Sequence, residues 1–232
     1  MDRKERAVRI LFLVLFLSIV GICVAVLLSE RSDRRVYFNQ GMATAVALTT
    51  PFLFEIGRRL RVPPVTKAIM LIFIYIGMFL GSVNEWYYRF WWWDAMLHFT
   101  SGPAVGIAAY SIVLAARNRT PGDRGPSHGI SLLLIFCFIM TIGTIWEIVE
   151  YTLDSVLGMN MQRDLDGGGL LDTMTDILLN TLGTIVFTLI AHHGLKGRVP
   201  ILERLAIRPV KRIRQAVSTE SAKSSEIKET VQ

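Results

Sequence analysis

The chain alternates between long apolar runs and short polar interruptions. Residues 10–28 are almost uninterruptedly apolar, close to the roughly 20 residues a helix needs to cross a hydrocarbon core. Further runs cover about 38–57, 66–83, 94–116, 130–151 and 170–192. In the second, Pro51 predicts a kink, because proline removes a helical hydrogen bond and crowds the preceding turn. Residues 84–93 form a short turn holding Trp86, Tyr87, Tyr88, Phe90, Trp91, Trp92 and Trp93, the kind of aromatic belt found at membrane interfaces. Residues 117–129 carry Pro, Gly and Arg, and 152–169 are polar and end in Asp166 and three glycines; both read as loops. The pattern predicts an all-α polytopic membrane bundle of about six transmembrane helices over residues 1–195. A basic, largely disordered cytoplasmic tail over 196–232 is expected to follow, too polar to pack a core.

Composition agrees with this reading and excludes others. The 232 residues are 52% hydrophobic and 19% charged, with a mean hydropathy of +0.43. Soluble domains carry about 25% charged residues, so a cytosolic enzyme, a disordered chain and a secreted disulfide scaffold are all set aside. Cys23 and Cys137 both lie inside apolar runs and read as small buried hydrophobes rather than a disulfide pair. The first apolar run is longer than the about 7–15 residues of a signal peptide and lacks a small-x-small cleavage site, so it is expected to be an uncleaved helix.

The net charge of +6 acquires meaning once it is sorted by loop. Of the 25 Lys and Arg, 20 fall at the N-terminus, in 58–67, in 117–129 and in the tail; five fall in the alternate loops. Basic residues are retained on the cytoplasmic side, so both termini are expected inside. The same use of charge makes nucleic acid an unneeded partner. Residues 202–217 mix Leu, Ile and Val with Arg204, Arg208, Lys211, Arg212 and Arg214. They suit a basic stretch lying on the anionic inner leaflet, interrupted near Pro209.

Orientation then turns the polar residues within spans into a map. Asp94, His98 and Ser101 share one face of the fourth helix at i, i+4 and i+7; Asp172, Asp176 and Asn180 form a stripe on the sixth. Glu147 and Glu150 are an i, i+3 pair on the fifth, and Asn84 and Glu85 close the third. The third and fifth helices end outside, where the fourth and sixth begin, so all of these groups belong to the outer half. With about 1.5 Å rise per residue, Asn180 lies about 12 Å deeper than Asp172. Such groups are costly against lipid, at about 2.5–3.5 kcal/mol per charge on insertion scales, and must face one another or a wet cavity.

Three readings fit this convergence. One is a headgroup or divalent-cation site with Asp94, His98, Glu147, Glu150, Asp172 and Asp176 as candidate ligands. An oxygen-rich set with one imidazole suits Mg²⁺, Mn²⁺ or Ca²⁺ better than zinc or copper. An anionic headgroup of a membrane lipid would need that cation, or Arg163, as a bridge. The second is a proton or cation relay in a transporter. The third is interhelical hydrogen bonding with a purely structural role. For chemistry, Asp172 or Asp176 could serve as base, Glu147 or Glu150 as acid and His98 as shuttle or nucleophile, but no stock enzyme signature accompanies them.

The ordered blocks Trp93-Asp94-x-x-Leu97-His98-x-x-Ser101-Gly102, Trp146-Glu147-x-x-Glu150 and Leu171-Asp172-Thr173-x-x-Asp176-x-x-x-Asn180-x-x-Gly183 resemble the YjdF-like family of bacterial inner-membrane proteins over about residues 36–192. The resemblance implies a multi-pass protein of the bacterial cytoplasmic membrane and brings no assigned activity. A looser similarity is to VanZ-like membrane proteins, matched in order by Asp94, His98-Phe99, Glu147, Arg163, Asp176, Asn180 and Gly183. Ala95 and Glu150 stand where that pattern has a basic residue and a Gln. VanZ-like proteins are associated with glycopeptide (teicoplanin) resistance, which implies cell-envelope lipids as the chemistry involved.

Overall fold

A computed structural model describes residues 2–30, 32, 34–53, 55–56, 60–117, 125–157, 161–162 and 168–209. The chain is an all-α polytopic membrane bundle. Helix α1 (Arg3–Leu28) is followed by α2 (Arg34–Ala47), the short α3 (Thr50–Leu53), α4 (Pro64–Ile74) running on as a π-helix, π1 (Tyr75–Val83), and the single turn α5 (Trp86–Arg89). Then come α6 (Trp93–Arg117), α7 (His128–Leu157), α8 (Gly169–Gly194) and α9 (Pro200–Leu205). Among the described residues five helices are long and apolar enough to cross a membrane: α1, α4 with π1, α6, α7 and α8.

The sixth expected crossing is the broken one. The helix stops at Ala47 and resumes only for Thr50–Leu53 around Pro51, so the proline ends the helix rather than bending it. Its two ends are nevertheless fixed at opposite levels of the bundle. At the outer end the Tyr37 hydroxyl donates to the Glu85 carboxylate. At the inner end Lys67 lies 2.6 Å from Glu5 and 2.9 Å from Glu55. Tyr37 and Glu55 therefore stand at the two ends of α4 with π1. Lys67, which the sequence pattern assigns to a basic loop, is only 1% exposed and ties three segments together.

The N-terminal half packs α1, α2, α4 and π1 around Ile19, Leu48, Leu71 and Phe79. The C-terminal half packs α6, α7, α8 and α9 around Tyr110, Ile135, Ile139, Phe187 and Ala191. Its most extensive contact is between α6 and α8, and glycine makes it possible. A Cβ on Gly102 would stand 2.5 Å from the Gly183 carbonyl carbon, and one on Gly183 would overlap the Phe99 carbonyl oxygen. That oxygen is the one Pro103 leaves without a helical N–H partner, because proline has none to give. Two backbones thus meet directly, in the manner of small-residue crossings between membrane helices.

Two boundaries and one burial differ from the pattern-based expectation. Helix α7 continues past 151 to Leu157, so Glu147 and Glu150 sit about two turns inside it. Cys137 is exposed on the outer surface of α7 rather than buried. Residues beyond 195 remain packed to 209: Leu202 and Ala206 are buried beside Tyr110, Thr66 Oγ1 donates to the Leu205 carbonyl at 2.6 Å, and the Ile207 N–H donates to Ser111 Oγ at 2.9 Å. A two-residue antiparallel bridge, β1 (Leu60–Arg61) with β2 (Arg208–Pro209), completes this inner seam. Apolar residues spaced along 199–206 make that possible, whereas residues 210–232 lie outside the described part.

Two outcomes follow. Gly183→Ala forces backbone apart, and overpacking of this kind costs about 1–3 kcal/mol; thermal unfolding in detergent should show that loss, while Gly21→Ala, with open space around it, should show none. Lys67→Met strands two carboxylates and should cost about 3 kcal/mol, clearly more than Glu5→Gln or Glu55→Gln, each of which leaves Lys67 one partner.

Candidate functional site

The α6–α8 crossing sets where the polar face of α6 lands. One turn before Gly102, His98 is brought against α8. Its Nε2 lies 3.3 Å from Asp94 Oδ1 and 3.7 Å from Asp176 Oδ2, and its Nδ1 lies 3.5 Å from Glu147 Oε1 on α7. Asp94, His98, Glu147, Glu150, Asp176 and Asn180 are all buried. One ring can carry one positive charge at most, so it cannot balance four carboxyl groups.

The third helix is seated by another glycine. Gly143 of α7 leaves room for the Asn180 carboxamide, which a Cβ there would overlap. Ser101 Oγ donates to the His98 carbonyl at 2.6 Å and stands 3.0 Å from Asn180 Oδ1. Asn180 and Ser101 thereby form the deep floor, with the carboxyl groups above them. Below this floor the described interior is mainly apolar, formed by Ile107, Tyr110, Ile135, Ile139 and Phe187, with the buried hydroxyls of Thr184, Ser111 and Ser131 bonded to carbonyls one turn back.

Two sets of three ligand atoms lie within 4.8 Å of one another: Asp94, His98 and Asp176, and His98, Glu147 and Glu150. Ligands about 2.0–2.6 Å from one ion can be at most about 4–5 Å apart, so either set fits a single cation. Glu147 adds a second sign: it is 6% exposed, and its Oε2 has no hydrogen-bond partner. A buried carboxylate oxygen without a partner is costly, and it lies within the group that would hold the ion.

The remaining expected residues are placed differently. Asp172 is one turn above Asp176, half-buried and outside both three-ligand sets. Glu85 adopts a left-handed backbone, φ 61°, and takes the Tyr37 hydroxyl rather than joining His98. Arg163, and Asp166 with Gly167 of the glycine-rich loop, lie outside the described residues.

Several supporting groups are not evident from the sequence pattern. Trp146 Nε1 donates to Glu150 Oε1 at 2.9 Å; their i, i+4 spacing is the signal that points to it. The Asp154 carboxylate accepts the backbone N–H groups of Met161 (2.8 Å) and Gln162 (2.9 Å), folding the chain back over the end of α7. Gln162 is thereby buried and donates to Thr173 Oγ1 at 2.9 Å, linking this return to α8. No spacing in the sequence announces that link.

Known proteins are consistent with the membrane reading and leave the chemistry open. No solved structure matches the chain. A Thermotoga maritima protein described as uncharacterized is 25% identical over 198 residues, covering 85% of this chain and 94% of its own length. The family described as "Predicted membrane protein (DUF2238)" matches residues 10–196. This is the YjdF family that the three ordered blocks resemble, and the match lends no support to the looser VanZ-like similarity. With well over half its length matched, the chain belongs to this family of membrane proteins.

Proposed function

We propose that the outer-half cluster holds a divalent cation, Mg²⁺, Mn²⁺ or Ca²⁺, and that the ion receives the anionic headgroup of a membrane lipid in the bacterial cytoplasmic membrane. The observation that carries this is the pair of three-ligand sets sharing His98, one of which includes Glu147, whose Oε2 has no hydrogen-bond partner. Carboxylates with one imidazole are hard ligands suited to these ions. The ion offsets repulsion among groups that otherwise must take up protons. An ion held by carboxylates on one side keeps open positions on the other, which a phosphate oxygen can fill.

The two competing readings expect different arrangements. A proton- or cation-coupled transporter needs ionisable groups continuing toward the inner side, whereas below Asn180 and Ser101 the buried Ser and Thr side chains described on α6–α8 are Thr184, Ser111 and Ser131, whose hydroxyls bond carbonyls one turn back. Polar residues acting only as interhelical glue would form separate satisfied pairs, whereas here four carboxyl groups share one ring.

Protein purified without chelator should retain stoichiometric metal, lost on chelation and in His98→Ala, but retained in Glu85→Gln. Adding Mn²⁺ to the metal-free protein at about 100 times its dissociation constant should raise stability by about 2.7 kcal/mol. Glu147→Gln should abolish that increment while making the metal-free protein more stable, by about 1 kcal/mol, since a buried charge has been removed. If instead no metal is retained and Glu147→Gln lowers stability in all conditions, the cluster is structural and the proposal fails.

A further inference from the structure

Helix α7 packs on α6 and α8 but makes no extensive contact with α2 or π1. The space between them is a groove. Its deep part is a cavity of 170 Å³ bounded by Met78, Leu97, Ile139 and Ile142 and reaching His98 and Asn180. Its lateral part is a cavity of 250 Å³ between α2 and α7, bounded by Ala43, Val149 and Leu153. Gly77, Met78, Tyr87 and Trp146 line both, so the two are adjacent. A third, smaller cavity shares Gln40, Ser82 and Tyr87 with the lateral part and is also lined by Asp94 and Glu150 of the cluster.

Resting on the reading of the cluster as a cation and headgroup site, we infer that this groove takes one hydrocarbon chain of the same membrane lipid, admitted sideways between α2 and α7 from the outer leaflet. Three features specify that occupant. The walls are apolar and stand at the depth of the lipid chains, from the outer interface to the level of Asn180. Val36 and Val149, which line the lateral part, are exposed on the outer surface of the bundle, so the groove opens toward hydrocarbon. Its polar end meets Asp94 and Glu150, and there Gln40 Oε1 is buried without a hydrogen-bond partner. An amphiphile with a hydroxyl-bearing anionic headgroup complements both ends at once; an apolar molecule would leave the carboxamide oxygen unpaired, and a soluble anion would leave the groove unfilled.

Gly77 offers the test. A Cβ there would meet nothing within 4 Å, so Gly77→Leu places its side chain into the groove. Trp146 on its wall reports occupancy. The full chain is placed in phosphatidylcholine bilayers with phosphatidylglycerol brominated on one acyl chain, and tryptophan quenching is followed as the brominated lipid is increased. Saturable quenching that disappears in Trp146→Phe is expected. Its midpoint should shift about tenfold in Gly77→Leu, as loss of about two buried methylenes would give; Gly21→Leu, on open surface of α1, should leave it unchanged. Saturable quenching that persists in Trp146→Phe, or that is the same in Gly77→Leu as in the unmodified protein, overturns the inference. Metal content measured on the same samples separates the two proposals. Absent metal removes the cation reading, whereas retained metal with quenching indifferent to Gly77 removes the groove reading alone.

Discussion

The direct meeting of two backbones, Gly102 of α6 with Gly183 of α8, is the constraint on which the outer half of the bundle depends. Neither glycine can carry even a methyl group without moving a helix axis. Pro103 contributes by withholding the N–H that would otherwise occupy the Phe99 carbonyl, which then turns to Gly183. The crossing fixes His98 and Asp176 on facing surfaces, and Gly143 repeats the device by letting α7 close on Asn180. Membrane helices have no hydrophobic drive toward one another, so close packing of this kind is what holds them in register. Here it also forces carboxyl groups together at a depth where lone charges are costly.

The N-terminal half is organised on a different principle. It is fastened at its two ends, by Lys67 between Glu5 and Glu55 inside and by Tyr37 with Glu85 outside. Between those fastenings π1 occupies the face toward α7, with Gly77 leaving space unfilled. Extended π-helix is rare, and short π turns are found most often at functional sites. Its exit is also unusual: Asn84 returns both its backbone N–H and its side-chain amide to the Phe79 carbonyl. Glu85 then takes a left-handed conformation that costs a non-glycine residue roughly 1–2 kcal/mol. A half-bundle secured at its ends and relieved in its middle leaves the gap against α7 that becomes the groove.

How much of this the sequence carries follows from what helical spacing can and cannot encode. The i, i+4 and i+7 placement of Asp94, His98 and Ser101, and the stripe from Asp172 to Asn180, fix shared faces, because 3.6 residues per turn does so for any helix. Basic-residue asymmetry and span order bring those faces to one depth. Distances between helices are another matter, since they depend on Gly102, Gly143 and Gly183, and a glycine in an apolar run looks the same whether it faces lipid, as Gly21 does, or a backbone. Gly77-x-x-x-Gly81 and Gly102-x-x-x-Gly106 share the spacing of close helix approach, yet Gly77 meets nothing while Gly102 meets a backbone. Glu85 shows the opposite limit, because a single positive φ turns an expected member of the cluster toward Tyr37. Lys67 reads as one more loop cation until its two acidic partners, 62 and 12 residues away, are seen beside it. The groove has no sequence signature, since it is a contact that α7 does not make.

The two halves together give the molecule a direction. Below Ser101 and Asn180 the C-terminal half is filled by Tyr110, Ile139 and Phe187, and below these α9 folds Leu202 and Ala206 against the inner ends of α6 and α8. That end is therefore packed mainly with apolar side chains, whereas the other end carries the acidic cluster and the groove lies between α2 and α7. Bundles that need polar residues only to hold helices together gain most when every donor meets an acceptor, because an unpaired polar atom away from water costs more than a made bond returns. Glu147 Oε2 and Gln40 Oε1 are among the buried side-chain atoms left unpartnered, Gln40 in the lining of the lateral cavity, and this runs against that economy. Under the proposal made for the cluster, the two atoms take different partners, a cation at one and a donor at the other, which one metal-bound lipid headgroup would supply by way of the groove between α2 and α7.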